Sequence, residues 1–318
     1  MKIRLGYVSI ALNLKKVTAS STLTYTRYSK LSEAERLEKL KKVAYSNLEA
    51  LEQILKYNIE NDIHFYRLTS NLIPLATHPE VMWDYMKFFK KDFEYIGKII
   101  KENDIRIDTH PDQFNVINSL REDVVKNTIV NLKIQSDWFE AMNYNEAKMV
   151  IHIGSSQGGK EDAINRFIDN VNLFPKEIKN KLILENDDKT FTSTEVLYIC
   201  RKTKLPMVLD VHHYNCNNCE EKLEEILPEV FDTWEGQDIV PKIHFSSPRE
   251  FDRDRKHADY IDVKEFIQFI NLAKKVVDKD FDVMIEAKMK DKAIFKLMED
   301  LKKEDLSIKY IDKTSFEI

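Results

Sequence analysis

Short apolar runs rich in Ile, Val, Tyr and Phe recur along the chain at Ile3–Ser9, Ile63–Leu68, Ile105–Thr109, Met149–Ile153, Leu182–Leu184, Met207–Leu209, Ile243–Phe245 and Val283–Ile285. A strand covered on both faces needs no polar alternation, so these runs predict buried parallel strands. Between them lie segments whose apolar residues recur at helical intervals: Leu31–Tyr57, Pro79–Lys101, Arg121–Met142, Glu161–Phe174, Ser193–Lys202, Glu220–Leu227, Val263–Val277 and Lys290–Lys302. The first opens on Ser32 with Glu35 three residues on, the spacing of a capping box. Eight strand-plus-helix units in 318 residues, about 40 residues each, are the arithmetic of an α/β (β/α)8 TIM barrel. An open doubly wound sheet competes, but no Gly-x-Gly-x-x-Gly turn follows the first run and the chain has only six glycines. No linker, low-complexity tract or repeat interrupts the pattern. Residues 1–318 are therefore expected to form a single barrel domain, with Ser307–Ile318 as a short C-terminal extension.

Composition narrows the class. Hydrophobic residues make up 43% and charged residues 32%, the balance of a soluble folded chain. The longest stretch free of Lys, Arg, Asp and Glu, Leu68–Pro79, is only twelve residues, whereas a membrane helix needs roughly twenty apolar ones. The start, MKIRLGYVSI, lacks the apolar segment of a secretory signal. Three cysteines do not make a disulfide framework, and a reducing, cytoplasmic location is expected. The formal charge of −5 excludes a general nucleic-acid coat protein. It leaves room for an enzyme that grips nucleic acid locally, because acidic metal ligands subtract from the count. Nothing in the pattern requires a second subunit, so a monomer is expected.

The chemistry-bearing residues sit where the predicted strands end. His110, His152 and His244 stand in or just after the third, fourth and seventh runs, His212 and His213 follow the sixth, and His257 lies in the loop after the seventh. Glu185, Asp210 and Glu286 hold equivalent positions after the fifth, sixth and eighth. Strand C-termini converge on one face of a barrel, where active sites are built. Imidazoles with carboxylates suit Zn²⁺, Mn²⁺ or Fe²⁺. Burying so many of them together without a cation is very costly, and eight candidate ligands point to two or three cations. His64 and His78 fall outside this register and read as structural. Strict strand alternation pairs Asp210 with His212, while a chain already turning pairs it with His213. Cys216 and Cys219 have the spacing of half a zinc ribbon without a second pair, and read as a loop-to-helix junction. Gly154–Lys160 fits Gly-x-x-x-x-Gly-Lys, but Glu161 stands where a phosphate loop needs Ser or Thr; a phosphate contact from Lys160 stays open.

At THPDQF, HIGSSQGGK, ENDDK, LDVHH, KIHFSS and MIEAK, in order and over nearly the whole chain, the sequence resembles the UV damage endonucleases. The resemblance implies a TIM barrel similar to endonuclease IV. It implies an enzyme that nicks duplex DNA immediately 5′ of cyclobutane pyrimidine dimers and 6-4 photoproducts, leaving a 3′-hydroxyl and a 5′-phosphate. It also implies up to three divalent metals, usually manganese, held by His110, His152, Glu185, Asp210, His213, His244, His257 and Glu286. Glu185 and Glu286 would be catalytic, and Glu185 would bridge two metals. Lys242 matches a lysine carboxylated in the family. Gln113 and Phe114 match a Gln-aromatic pair that wedges into the duplex; here Phe114 keeps the ring of the usual Tyr and loses its hydroxyl. Tyr7 matches a tyrosine lining the lesion pocket, while the asparagine that follows it in the family has only Ser9 or Asn13 as counterparts. Lys242, Lys160 and Lys189 are further phosphate-contact candidates by position. Three other readings are weighed: an abasic-site endonuclease with the same cluster, a metal-dependent sugar isomerase on the same barrel, and a non-catalytic damage-binding protein. The isomerase has no use for the wedge, and the binding protein none for buried cations.

Overall fold

Each apolar run is a strand in the computed structural model, which describes residues 1–217, 220–304 and 307–318. The strands are β1 (Lys2–Val8), β2 (Phe65–Leu68), β3 (Arg106–Thr109), β4 (Lys148–His152), β5 (Leu182–Glu185), β6 (Met207–Asp210), β7 (Lys242–Phe245) and β8 (Phe281–Ile285). They pair in parallel in chain order, and β1 closes the ring by pairing with both β2 and β8. This is the closed (β/α)8 TIM barrel. Its helices are α1 (Tyr25–Tyr28), α2 (Glu33–Glu60), α3 (Met86–Glu102), α4 (Glu122–Ala141), α5 (Lys160–Asn172), α6 (Lys176–Lys179), α7 (Ser193–Thr203), α8 (Val211–Cys216), α9 (Leu223–Asp232), α10 (Val263–Val276) and α11 (Lys290–Glu304). The capping box forms at α2, where the Ser32 amide donates to Glu35 Oε2 at 2.9 Å.

Three boundaries differ from the sequence pattern. α3 begins at Met86, not Pro79, because the Trp83 indole donates to the Pro74 carbonyl at 2.9 Å and Met82 takes a positive φ of 24°. α9 runs past Pro228, at the loss of one backbone bond, because Leu227, Val230 and Phe231 are buried. α8 follows β6 without a loop. The C-terminal segment forms β9 (Lys309–Tyr310) and β10 (Ser315–Glu317), an antiparallel pair that covers the lower half of β1 through Lys2↔Glu317 and Arg4↔Ser315.

Packing separates two environments. The main apolar core lies between strands and helices. Inside the ring, Val150, Ile183 and Val208 on β4–β6 form an apolar patch, closed below by Trp234. Toward the N-terminal end, buried Asp282 accepts from Arg4 Nε at 2.7 Å and from Arg106 Nη1 at 2.8 Å. One layer higher, Lys242 Nζ meets Asp108, with Arg67 Nε 3.9 Å from the same carboxylate. The ring interior is thus a column of charge that ends at the C-terminal mouth.

Candidate metal centre and active site

Parity along the strands brings the ligands together. Side chains two residues apart share one side of a strand, so Lys242 and His244 on β7, and Arg67 on β2, all point into the ring. Glu185, 1% exposed at the end of β5, is the hub. Its Oε2 lies 2.9 Å from His110 Nε2 and 3.6 Å from His152 Nε2, while its Oε1 lies 2.6 Å from His244 Nδ1. Two groups with ligand atoms within 4.8 Å of one another share this residue: His110, His152 and Glu185; and Glu185, Asp210, His244 and Glu286.

His213 and His257 stand beside these groups rather than in them, with ring centroids 6.2 Å apart. α8 decides between the two histidines after Asp210. The chain turns helical at once, Asp210 caps the turn by accepting from the His213 amide at 2.7 Å, and His213 returns to the aspartate's side. His212 is buried, 3.7 Å from Cys216 Sγ and with its ring centroid 5.4 Å from that of His257. Cys219 lies outside the described residues.

Hydrogen bonding prepares three imidazoles as ligands. Nδ1 donates to a backbone carbonyl at His110 (Pro111, 3.1 Å), at His213 (Asn186, 3.0 Å) and at His257 (Glu286, 2.7 Å). Once deprotonated, a ring so held presents a lone pair at Nε2, the arrangement that orients metal-bound histidine. His110 Nε2 lies 2.9 Å from Glu185 Oε2, a contact in which a cation could take the place of a shared proton. Buried polar atoms without a hydrogen bond gather here as well: His152 Nδ1 and Asp210 Oδ2. The donor set and these unmet atoms fit divalent cations.

Electrostatics agree. Burial raises the Glu185 carboxyl, but His244 and His152 overcome this and hold it well below the usual carboxylate range. Burial opposed by Arg67 and His244 leaves Glu286 depressed too. Burial pushes Asp210 up to about 6, with the Glu185 and Glu286 charges adding to it. His213 is raised to about 9: burial opposes, and Asp210 and Glu185 prevail. Arg67, which the sequence reading missed, is 6% exposed, pairs with Glu286 at 2.6 Å and donates to His244 Nε2 at 2.7 Å. The available signal was a charge inside a run predicted to be buried on both faces.

The remaining candidates divide. Gln113 and Phe114 ride an exposed turn after β3. Asp112 Oδ1 accepts the Phe114 amide at 2.9 Å and leaves the ring 74% exposed. Gln113 shares an open cavity of about 460 Å³ with His152, His213, Lys189 and Arg255. Tyr7 is a correction: it faces the helix layer, fully buried, and its hydroxyl donates to Asn58 at 2.8 Å, so it does not reach the mouth. Its strand neighbours Arg4 and Gly6 take the inward positions instead. Lys160 is exposed, pairs with Glu195 at 2.8 Å and packs on Phe191, and it does not line that cavity. Lys242 touches Asp108 rather than the ligand groups, and burial lowers its amine to about 8. Asn13 is exposed and donates to the Tyr57 hydroxyl at 3.0 Å. His64 pairs with Asp312 at 3.0 Å, and His78 stacks on Tyr25 with centroids 4.2 Å apart.

The family described as UV-endonuclease UvdE matches residues 3–317. The chain belongs to that family. Its members are nuclease hydrolases of DNA repair. A UV DNA damage endonuclease of Bacillus cereus (strain Q1) is 43% identical over 302 residues, 95% of each chain. The crystal structure of SacUVDE superposes with a TM-score of 0.84 at 37% identity, covering 95% of this chain and 98% of that one. Endonuclease IV from Thermus thermophilus shares the fold, with a TM-score of 0.56 at 12% identity over 95% of this chain and all of that one. No described helix is long and apolar enough to cross a membrane.

Proposed function

We propose that the protein nicks duplex DNA immediately 5′ of UV photoproducts, cyclobutane pyrimidine dimers and 6-4 photoproducts, by metal-assisted phosphodiester hydrolysis that leaves a 3′-hydroxyl and a 5′-phosphate. The observation that carries the reading is the pair of ligand groups joined by Glu185, open to the cavity that Gln113 lines. His110, His152 and Glu185 would hold one cation, and Glu185, Asp210, His244 and Glu286 a second. His213 and His257, with Nδ1 already engaged, would offer Nε2 to a third, His213 giving up to that cation the proton it otherwise holds at neutral pH. Bound divalent cations, Mn²⁺ in this reading and up to three, would supply activated water and neutralise the leaving 3′-oxygen.

The chain's own residues do the rest. Glu185 and Glu286 stay ionised at neutral pH and hold the negative side of the centre. Phe114 stacks in the gap beside a distorted dinucleotide, and the Gln113 amide bonds bases that have lost their partners. A photoproduct is already poorly stacked, so opening it costs less than opening normal duplex, and the difference becomes selectivity. Lys242, whose amine burial lowers to about 8, keeps an uncharged fraction at neutral pH, the form that adds carbon dioxide to become a carboxylysine. Intact-mass measurement reads that modification directly. The enzyme acts as a monomer.

The test is incision of a labelled duplex carrying one thymine dimer, with Mn²⁺, beside undamaged and abasic duplexes. A nick immediately 5′ of the dimer, abolished by a chelator, is expected. Cleavage of the abasic duplex alone would overturn the lesion assignment, and no cleavage of any duplex would overturn the reaction.

A further inference from the structure

Residues 9–32, between β1 and α2, leave the C-terminal mouth of the barrel and carry an unusual charge pattern. Asp and Glu number 54 in 318 residues, about one in six, so a 24-residue stretch would ordinarily hold four. This one holds none; the first carboxylate in the chain is Glu33. It does hold Lys15, Lys16, Arg27 and Lys30, and all four are exposed. Among the described residues, no ion pair or side-chain hydrogen bond engages any of the four.

The cations are held in place. Ala11, Ala19 and Leu23 are buried beneath them. Asp291, at the start of α11, accepts from the Leu12 amide at 2.6 Å and from the Asn13 amide at 3.2 Å. The Asn47 side chain accepts from the Ser21 amide at 2.8 Å and donates to the Leu72 carbonyl at 2.9 Å, tying this segment to the loop after β2. Thr24 caps the single turn α1 that presents Arg27. Thr22 and Leu23 line a cavity of about 380 Å³ together with Asp112 and Asn115, which flank the Gln113–Phe114 turn. The segment therefore borders the candidate site on the β1–β2 side of the mouth.

Fixed positive charge without a counter-charge, in a protein of net charge −5, suits a ligand that brings repeated negative charge. We propose that residues 9–32 grip the sugar–phosphate backbone of duplex DNA beside the cut, with Lys15, Lys16, Arg27 and Lys30 as phosphate contacts. The inference rests on the proposed function and adds a surface to it. Phosphate contacts position a duplex without reading its sequence, so this surface sets affinity and register while Gln113 and Phe114 carry lesion choice.

The experiment compares wild type with Lys15→Gln/Lys16→Gln and Arg27→Gln/Lys30→Gln, all Mn²⁺-loaded. Binding of an undamaged duplex is measured between about 50 and about 200 mM salt, together with incision of a thymine-dimer duplex. Each double variant is expected to reduce the slope of log affinity against log salt by about 1 to 2 and to raise KM, with kcat unchanged. Lys98→Gln/Lys101→Gln on α3, an equal charge change near the opposite end of the barrel, should keep the wild-type slope. Wild-type slopes and KM in both loop variants would overturn the proposal, as would an equal loss of slope in the α3 variant. Failure of the wild type to cut the dimer duplex would instead overturn the proposed reaction.

Discussion

Glu185 shows how one side chain can carry a site. It is fully enclosed, it contacts His110 and His244, and it belongs to both ligand groups. Glu185→Ala should therefore remove more than a single contact. Incision is expected to fall by about 10³-fold or more, since metal activation supplies several kcal/mol and each 1.36 kcal/mol is tenfold. Circular dichroism should report an intact fold, and turnover at the wild-type rate would sink the assignment of the cluster. Gln113 acts at the other end of the reaction. It is exposed on the wedge turn and touches neither ligand group, so Gln113→Ala should leave metal stoichiometry unchanged. Its loss should cut the preference for damaged over undamaged duplex by about tenfold, the worth of one hydrogen bond of about 1.4 kcal/mol. An unchanged preference in competition binding would remove it from lesion recognition.

Among the elements, β1 does the most unusual work. It closes the barrel between β2 and β8 and carries the β10 pairing along its lower half. Its inward positions are Arg4, which binds Asp282, and Gly6, which leaves room for Phe65. A Cβ on Gly6 would lie 2.5 Å from the Phe65 carbonyl oxygen and 2.7 Å from its ring. Backbone cannot yield as a flexible side chain can, so Gly6→Ala should destabilise the protein by about 1–3 kcal/mol or more, read as a lower denaturant midpoint at constant m-value. Phe65 in turn underlies Lys242, whose Nζ sits 5.6 Å from the ring centroid. The smallest residue of the strand thus supports a charged layer two strands away from it in the ring.

For the whole molecule, the interior column of charge makes stability depend on pH and, if the proposed cations bind, on metal. Burial raises the Asp282 carboxyl, but Arg106 and Arg4 outweigh it and hold it below the usual range. A carboxyl depressed by folding stabilises fully above its unfolded value of about 3.9, and the contribution fades as pH falls below that through the lower folded value. Asp282→Asn leaves the buried Arg106 guanidinium short of its counter-charge, while half-buried Arg4 keeps Asp104, and should cost about 3 kcal/mol at pH 7. Its unfolding free energy should also vary less between pH 5 and pH 2 than that of the wild type. At the mouth the effect runs through ligand linkage. Mn²⁺ at a hundredfold excess over Kd should stabilise the fold by about 2.7 kcal/mol, and a chelator should return the unfolding transition to its lower temperature. A transition insensitive to both would contradict metal binding to the folded state.

The strands, the main helices and the closed barrel were legible in the order of residues because each depends on short-range period: unbroken apolar runs for strands buried on both faces, and helical recurrence between them. The registers of His110, His152, Glu185, Asp210, His244 and Glu286 at strand ends were legible for the same reason, since parallel closure brings all strand C-termini to one face. What followed from three-dimensional packing alone was orientation. α8 turned His213 rather than His212 toward Asp210. Inward seats on β1 went to Arg4 and Gly6, which sent Tyr7 into the helix layer. Arg67 reached His244 and Glu286 across the ring interior from β2, two strands from β8 and three from β7. Each of these outcomes depends on a partner distant in sequence, and a partner's position exists only after the ring has closed.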